Sequence, residues 1–323
     1  MAKSAGQWSR IQERGSMWGL RLTVASVRTF GRFLSLPLVL GVVSYFFVTD
    51  TKGRAASRAY LERVHANTFP EPAWKPGLWQ SFLHYREFAL SIADRVAMWG
   101  GRMDTFQFQF RGREHFKPFL EEGRGMIVLG AHLGSFDSMR ALGAKDGVPV
   151  NVVMYTRHAP KINEIFREIS PDAEVRVISA EPGSARATFE IKACIERGEL
   201  VAILADRNPP KPSRSSDSSR QPSRVCHVDF LGGRAALPEA PFQLPVILGC
   251  PAVVIVGLRS GSGRYEIHAE PLAAGGERVT GAARAKRAGE LAERYAQCLE
   301  RYCVLAPRQW FNFYDFWAEG DQR

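Results

Sequence analysis

"MIVLGAHLGSFD", residues 126–137, opens as a short apolar run and closes with a histidine and an aspartate four intervening residues apart, beside two glycines. Met126 to Leu129 are continuous and rich in branched apolar types, the signature of a parallel strand buried on both faces. Beyond Gly134, Ser135 is an available N-cap, and Phe136, Met139 and Leu142 recur at helical spacing. The stretch therefore predicts strand, turn and helix. On one continuous helix, His132 and Asp137 would stand about 140° apart around the axis. They meet only if His132 lies in the turn, where Gly130 and Gly134 let the chain bend and Asp137 reaches back from the first helical turn. Such corners, at the carboxyl ends of strands, are where open α/β sheets bind ligands. The plainer alternative is an aspartate favouring a helix dipole beside a satisfied loop histidine.

The same rhythm continues outward. Further strands are expected at Val150 to Tyr155, Val175 to Ser179, Leu200 to Ala205, Ala252 to Leu258 and "RYEIHAE", with an alternating half-buried strand in "DTFQFQFRG". Helical patterns occupy 78–98, 136–145, 160–169, 184–197 and 237–249. Strands alternating with helices of this length predict an α/β fold, a largely parallel central sheet flanked by helices. No repeat of 20 to 50 residues interrupts it.

With 323 residues, 45% of them hydrophobic, the chain is large enough for a substantial core and excludes a disordered protein. Its five cysteines are scattered and lack metal-ligand spacing, so a reducing compartment and no catalytic metal are expected. His158, His227 and His268 form no ligand set with carboxylates or cysteines.

Net charge is +10, and the residues through 64 carry +7 of it, ten basic against three acidic side chains. This region brackets "FLSLPLVLGVVSYFFV", residues 33–48, a sixteen-residue apolar run holding Pro37 and Gly41. A span needs about 20 apolar residues. Basic residues on both sides suit a helix held on an anionic membrane surface, with an oblique span or a buried core helix as alternatives. Because the charge surrounds an apolar run instead of interleaving with exposed aromatics, no nucleic-acid partner is expected. The expected organisation is a basic, membrane-associating region at 1–65, followed by an α/β domain at 66–323. "RNPPKPSRSSDSSRQPSRV", residues 207–225, has too few apolar residues for a core and is expected to be a mobile loop, either a lid or lipid-facing loop or a solvated insertion. The aromatics of "ERYCVLAPRQWFNFYDFW" are expected mostly in the core, some at a membrane interface.

"GMIVLGAHLGSFD" resembles the H-x4-D/E block of the lysophospholipid acyltransferase superfamily, in the branch of the late lipid A acyltransferases. Later blocks agree in order: "VNVVMYTRHAPKINEIFREI", "GELVAILADRNPP", and "VDFLGGRAALPEAPFQLPVILGCPAVVIVGLRSGSGRYEIHAEPL". The opening "QERGSMWGLRLTVASVRTFGR" is also similar to a bacterial subgroup associated with aryl polyene lipid pathways. The resemblance implies a bacterial inner-membrane O-acyltransferase with its catalytic domain on the cytoplasmic side. Its donor would be an acyl carrier protein thioester or acyl-CoA, used as co-substrate with no cofactor, and its acceptor a membrane lipid or glycolipid hydroxyl. It further implies His132 as general base and Asp137 as the carboxylate that orients it. Arg157 would face a phosphate or a developing oxyanion, with a plain surface role as its alternative. Asp206 and Arg207 match the acidic strand-end block, although Arg207 stands where lipid A enzymes often carry glutamine. Gly232 and Gly233 would allow close backbone packing near the site, and Arg259 would close the pocket or serve structure. A thioester hydrolase and a non-catalytic lipid-binding protein are the competing classes. "RSGSGR" lacks the strand-to-helix elbow of a serine hydrolase.

Overall fold

In the computed structural model, the described residues are 36–137, 147–154, 176–180, 185–208, 224–276 and 278–319, with isolated positions at 25, 26 and 29. From residue 36 onward the described chain begins with helices α1 (Leu36–Thr49), α2 (Thr51–Ala66) and α3 (Leu78–Trp99). Then follow β1 (Gln107–Arg111), the short α4 (Lys117–Glu121), β2 (Met126–Gly130), β3 (Val150–Met154), β4 (Arg176–Ser179), α5 (Ala185–Glu196) and β5 (Leu200–Leu204). The chain continues through β6 (Val225–Phe230), β7 (Gly233–Pro238), α6 (Ala240–Leu248), β8 (Ala252–Gly261), β9 (Arg264–Ala273) and α7 (Gly281–Leu305).

Seven strands form one sheet in the order β1-β9-β8-β2-β5-β3-β4. Every neighbouring pair is parallel except β8 with β9. β2 is buried along its whole length at the centre of the sheet, as its unbroken apolar run requires. Ile127 and Leu129 join the larger core with α6 and α7, while Met126 and Val128 face the opposite layer with Phe116, Val253 and Ile255. The fold is thus the predicted one, a largely parallel sheet with helices on its faces. Of the expected helix at 136–145 only Phe136 and Asp137 are described, in a turn, and the rest of it, the expected helix at 160–169 and most of the 207–225 loop lie outside the described residues.

Two elements depart from the sequence expectation. β6 and β7 form a separate antiparallel hairpin, although the run from 224 to 238 contains no clear break except Gly232 and Gly233. α7 is a 25-residue helix whose buried stripe, Ala288, Leu291, Ala292, Tyr295, Leu299 and Tyr302, is hidden in sequence among many charged and small residues.

The apolar run condenses into α1, which turns Val39 and Val43, one helical turn apart, into a cluster with Ala93, Val96 and Ala97 of α3. Its other face leaves Tyr45 64% and Val48 68% exposed. Among the described residues, no helix is long and apolar enough to cross a membrane. The boundary expected at residue 65 falls inside α2, whose Tyr60, Leu61 and Val64 are fully buried in the main core. Helices α2 and α3 thus pack directly over the carboxyl end of the sheet, and α3 delivers the polar side chains described next.

Candidate active site

Parallel register places the site. Gly130 of β2 pairs with Leu204 of β5, so the residues two places beyond each strand, His132 and Asp206, leave the sheet side by side. His132 Nδ1 lies 2.8 Å from Asp206 Oδ1, and the His132 backbone N–H donates to Asp206 Oδ2 at 3.0 Å. The Trp310 indole N–H donates to that same oxygen at 3.0 Å. The turn itself is stitched in place. Gly134 and Ser135 donate to the carbonyls of Gln309 and Gly257 at 2.8 and 2.7 Å, and the His132 carbonyl accepts from Phe311 N–H at 2.8 Å. Gly134 has φ +66°, and a Cβ there would strike the Gly257 carbonyl, so the corner requires glycine at this point. Of the two glycines singled out in sequence, Gly134 makes the turn, whereas Gly130 remains in the strand.

The carboxylate on the imidazole is therefore Asp206, where the sequence reading placed Asp137. Asp137 is buried, but its Oδ2 accepts from Arg95 Nε and its Oδ1 from the Trp99 indole N–H, both at 2.6 Å. The physical reason is sheet order. Asp206 comes from the strand hydrogen-bonded to β2, while Asp137 has moved on past the corner toward α3, where Arg95 and Trp99 are one helical turn apart on a single face.

Electrostatics assign protons. Burial would raise the pKa of Asp206, but the adjoining His132, Arg207 and the Trp310 indole outweigh it and hold the carboxyl well below the usual carboxylate range. Burial lowers the pKa of His132, with Arg207 and Arg95 acting in the same direction and Asp206 opposing. Since 31% of the His132 side chain still meets solvent, the burial effect is tempered. An ionised Asp206 can only accept, so Nδ1 carries the proton of the neutral imidazole and Nε2 keeps its lone pair.

Trp310 is the keystone of this arrangement. Its ring is 1% exposed and meets Tyr60, Phe230 and Phe316 edge-on at centroid distances of 5.0, 5.2 and 4.9 Å. Its carbonyl accepts from His84 Nε2–H at 2.8 Å, while His84 Nδ1 accepts from the Ser57 hydroxyl at 3.0 Å. Burial lowers the His84 pKa to about 4, so this imidazole is neutral and serves as structure.

The remaining candidates have distinct placements. Arg207 donates to the Phe311 carbonyl at 2.6 Å and its guanidinium lies 5.5 Å from the Tyr314 ring centre. Arg259 is held in an ion network, with Nε 3.2 Å from Asp94 Oδ2 and NH1 3.1 Å from Glu87 Oε2. Gly232 lies in the β6–β7 turn against Asn67, and Gly233, the first residue of β7, packs on Arg63 and Trp317, where a Cβ would come within 2.5 Å of Arg63 Nη1. They support the aromatic cluster beneath Trp310 rather than line the imidazole. Arg157 lies outside the described residues. Sequence reasoning missed Arg95, Trp99 and Trp310. The i, i+4 spacing of the first two, Arg95 within the expected helix 78–98 and Trp99 one residue past it, was a usable signal, whereas Trp310 was one aromatic among many.

Against known proteins, the family model of the bacterial lipid A biosynthesis acyltransferases matches residues 9–318. The chain belongs to this family and is an acyltransferase of lipid biosynthesis. Among solved structures it is similar to the 1-acyl-sn-glycerophosphate acyltransferase PlsC from Thermotoga maritima, at 15% identity over 84% of this chain and 98% of that one. The TM-score is 0.31, too loose a superposition to inform the site. No curated protein matches.

Proposed function

We propose that this acyltransferase moves an acyl chain from a thioester, carried by an acyl carrier protein or coenzyme A, onto a lipid or glycolipid hydroxyl without an acyl-enzyme. The observation that carries the proposal is the clamp on His132: Asp206 takes Nδ1–H at 2.8 Å and leaves Nε2 as the base. Nε2 accepts the acceptor's hydroxyl proton as that oxygen bonds to the thioester carbon, and the carbonyl electrons move onto oxygen. When the tetrahedral intermediate collapses, the C–S bond breaks and the imidazolium returns its proton to the departing thiolate. The proton is conserved and no second nucleophile is needed. Asp206 steadies the transient imidazolium and fixes its tautomer. Arg157, expected from the resemblance to meet a phosphate or the oxyanion, remains part of this proposal.

The acceptor we infer is a lipid of the aryl polyene or a related class, presented at the bacterial inner membrane on its cytoplasmic side. Exposed apolar side chains on α1 and at the start of α3 support surface attachment: Tyr45, Val48, Leu78 and Trp79 are each more than 60% exposed. Basic residues of the same region would draw in an anionic bilayer and an acidic carrier protein.

The test is thiol release from a long-chain acyl carrier protein thioester, with and without delipidated membrane, comparing wild type with His132→Ala. Release that requires both acceptor and His132 supports transfer, with a loss of roughly 10²–10⁴-fold in the variant. Release that needs His132 but no acceptor would make the protein a thioesterase, and release indifferent to His132 would overturn the mechanism.

A further inference from the structure

The aspartate of the H-x4-D block is buried, yet its two oxygens serve α3: Arg95 Nε on one and the Trp99 indole on the other, each at 2.6 Å. The Trp99 indole holds the carboxylate, and the buried carboxylate holds Arg95 by one short charge-assisted bond, a firmer arrangement than a surface ion pair. Arg95 binds Asp137 through Nε, and this bond does not use the four terminal N–H groups of its guanidinium fork. Its side chain is 24% exposed, so this held cation is not sealed from ligands. Asp137 belongs to the corner that carries His132, five residues earlier, and the charge of Arg95 reaches the imidazole, where it favours the neutral form. Arg259, by comparison, is 16% exposed and is engaged by both Glu87 and Asp94.

We infer that Arg95 is a catalytic residue that donates to the carbonyl oxygen of the thioester as it becomes an oxyanion beside His132, and that Asp137 and Trp99 are its positioning residues. This rests on the transfer chemistry proposed above. A cation pre-oriented by a buried carboxylate meets the demand of the step: negative charge appears on the carbonyl oxygen when the acceptor attacks, and a donor already in place needs no reorganisation. Asp137 then acts through the arginine, and Asp206 through the histidine.

The experiment uses the full-length chain with a saturated long-chain acyl carrier protein thioester and delipidated membrane, measuring kcat and KM for Arg95→Gln, Arg95→Lys, Asp137→Asn and the Arg95→Gln/Asp137→Asn double variant. Arg95→Gln and Asp137→Asn are each expected to lower kcat by about 10²–10³-fold with little change in KM. The double variant should be no worse than the poorer single one, because both remove the same interaction. Arg95→Lys keeps the charge and should recover part of the loss. In Arg95→Gln, the acid limb of the pH–rate profile should move to higher pH, a shift that damaged folding alone would not produce. Trp99→Phe leaves both charges in place and should lower kcat more mildly, so the inference stays testable if a charge variant fails to fold. A wild-type kcat in Arg95→Gln, losses that multiply in the double variant, or an effect confined to KM would each overturn the assignment. If His132→Ala retains wild-type thiol release, the transfer mechanism fails first; if it is inactive while Arg95→Gln is not, only this inference falls.

Discussion

Two buried carboxylates in this protein are built alike and do different things. Asp206 accepts from an aromatic donor, Trp310, and from the ring of His132; Asp94 accepts from an aromatic donor, Tyr265 at 2.7 Å, and from the guanidinium of Arg259. The difference lies in the cationic partner. Arginine never gives up its proton, so the Asp94 centre is a static brace between α3 and the β8–β9 pair, with Glu87 adding a second carboxylate. Histidine exchanges its proton near neutrality and holds a second nitrogen for other work, so the Asp206 centre is suited to the proton transfer proposed for it. Burial and hydrogen-bond geometry alone do not separate a site from a brace.

Replacing each aspartate by asparagine puts the comparison under the greatest strain. Asp206→Asn should lower kcat by 10²-fold or more, because the amide no longer enforces the tautomer that leaves Nε2 unprotonated. Its stability should fall, because the ionised carboxylate favours the fold, but by less than in the Asp94 variant, since a neutral His132 leaves no orphaned charge. Asp94→Asn removes one of two counter-charges from a buried guanidinium and should cost roughly 3–5 kcal/mol in denaturant unfolding. Equal stability losses in the two variants would erase the distinction.

The next effect concerns pH. His84, buried and neutral between Ser57 and Trp310, has its pKa lowered to about 4 from 6.5. The unfolded chain therefore takes up a proton on this residue before the folded one does. Stability should be intact above pH 6.5 and decline by about 3 kcal/mol as pH falls toward 4. Unfolding curves of His84→Gln should lack this component.

A smaller effect separates the aromatic donors. Trp310→Phe and Tyr265→Phe each leave a buried carboxylate oxygen short of one bond, worth about 1–3 kcal/mol. For Trp310 the loss should appear in kcat as well as in melting temperature, whereas for Tyr265 it should appear in melting temperature. The smallest expected change is in the pH–rate profile of Arg207→Gln. Arg207 helps keep the His132 pKa below 6.5, so removing its charge should raise that pKa and move the acid limb of kcat/KM to higher pH. A shift to lower pH would mean that the limb belongs to another group.

Much of the fold was legible in sequence because the information is local. Unbroken apolar runs such as "MIVLG" and "LVAIL" are buried central strands, and their alternation with helices leaves few arrangements other than a parallel sheet. The hairpin of β6 and β7 was less legible because its antiparallel pairing depends on Leu231 and Gly232 adopting φ of 47° and 66°, and a leucine does not announce such a turn. α7 was hidden because small residues such as Ala288, Ala292 and Ala296 make up much of its buried stripe.

His132 as the candidate base, and its place in the turn that follows β2, followed from residues 126–137 and from the ordered blocks around them. Its partner did not. Spacing along the chain favoured Asp137, five residues away; register across the sheet selected Asp206, 74 residues away, because neighbouring parallel strands end together and project their next residues into the same space. The same holds for Trp310, Arg95 and Trp99, which reach the corner from the C-terminal segment and from α3. Local pattern specifies elements and their burial, but which two side chains share a hydrogen bond is settled only when strands align and helices pack over their ends.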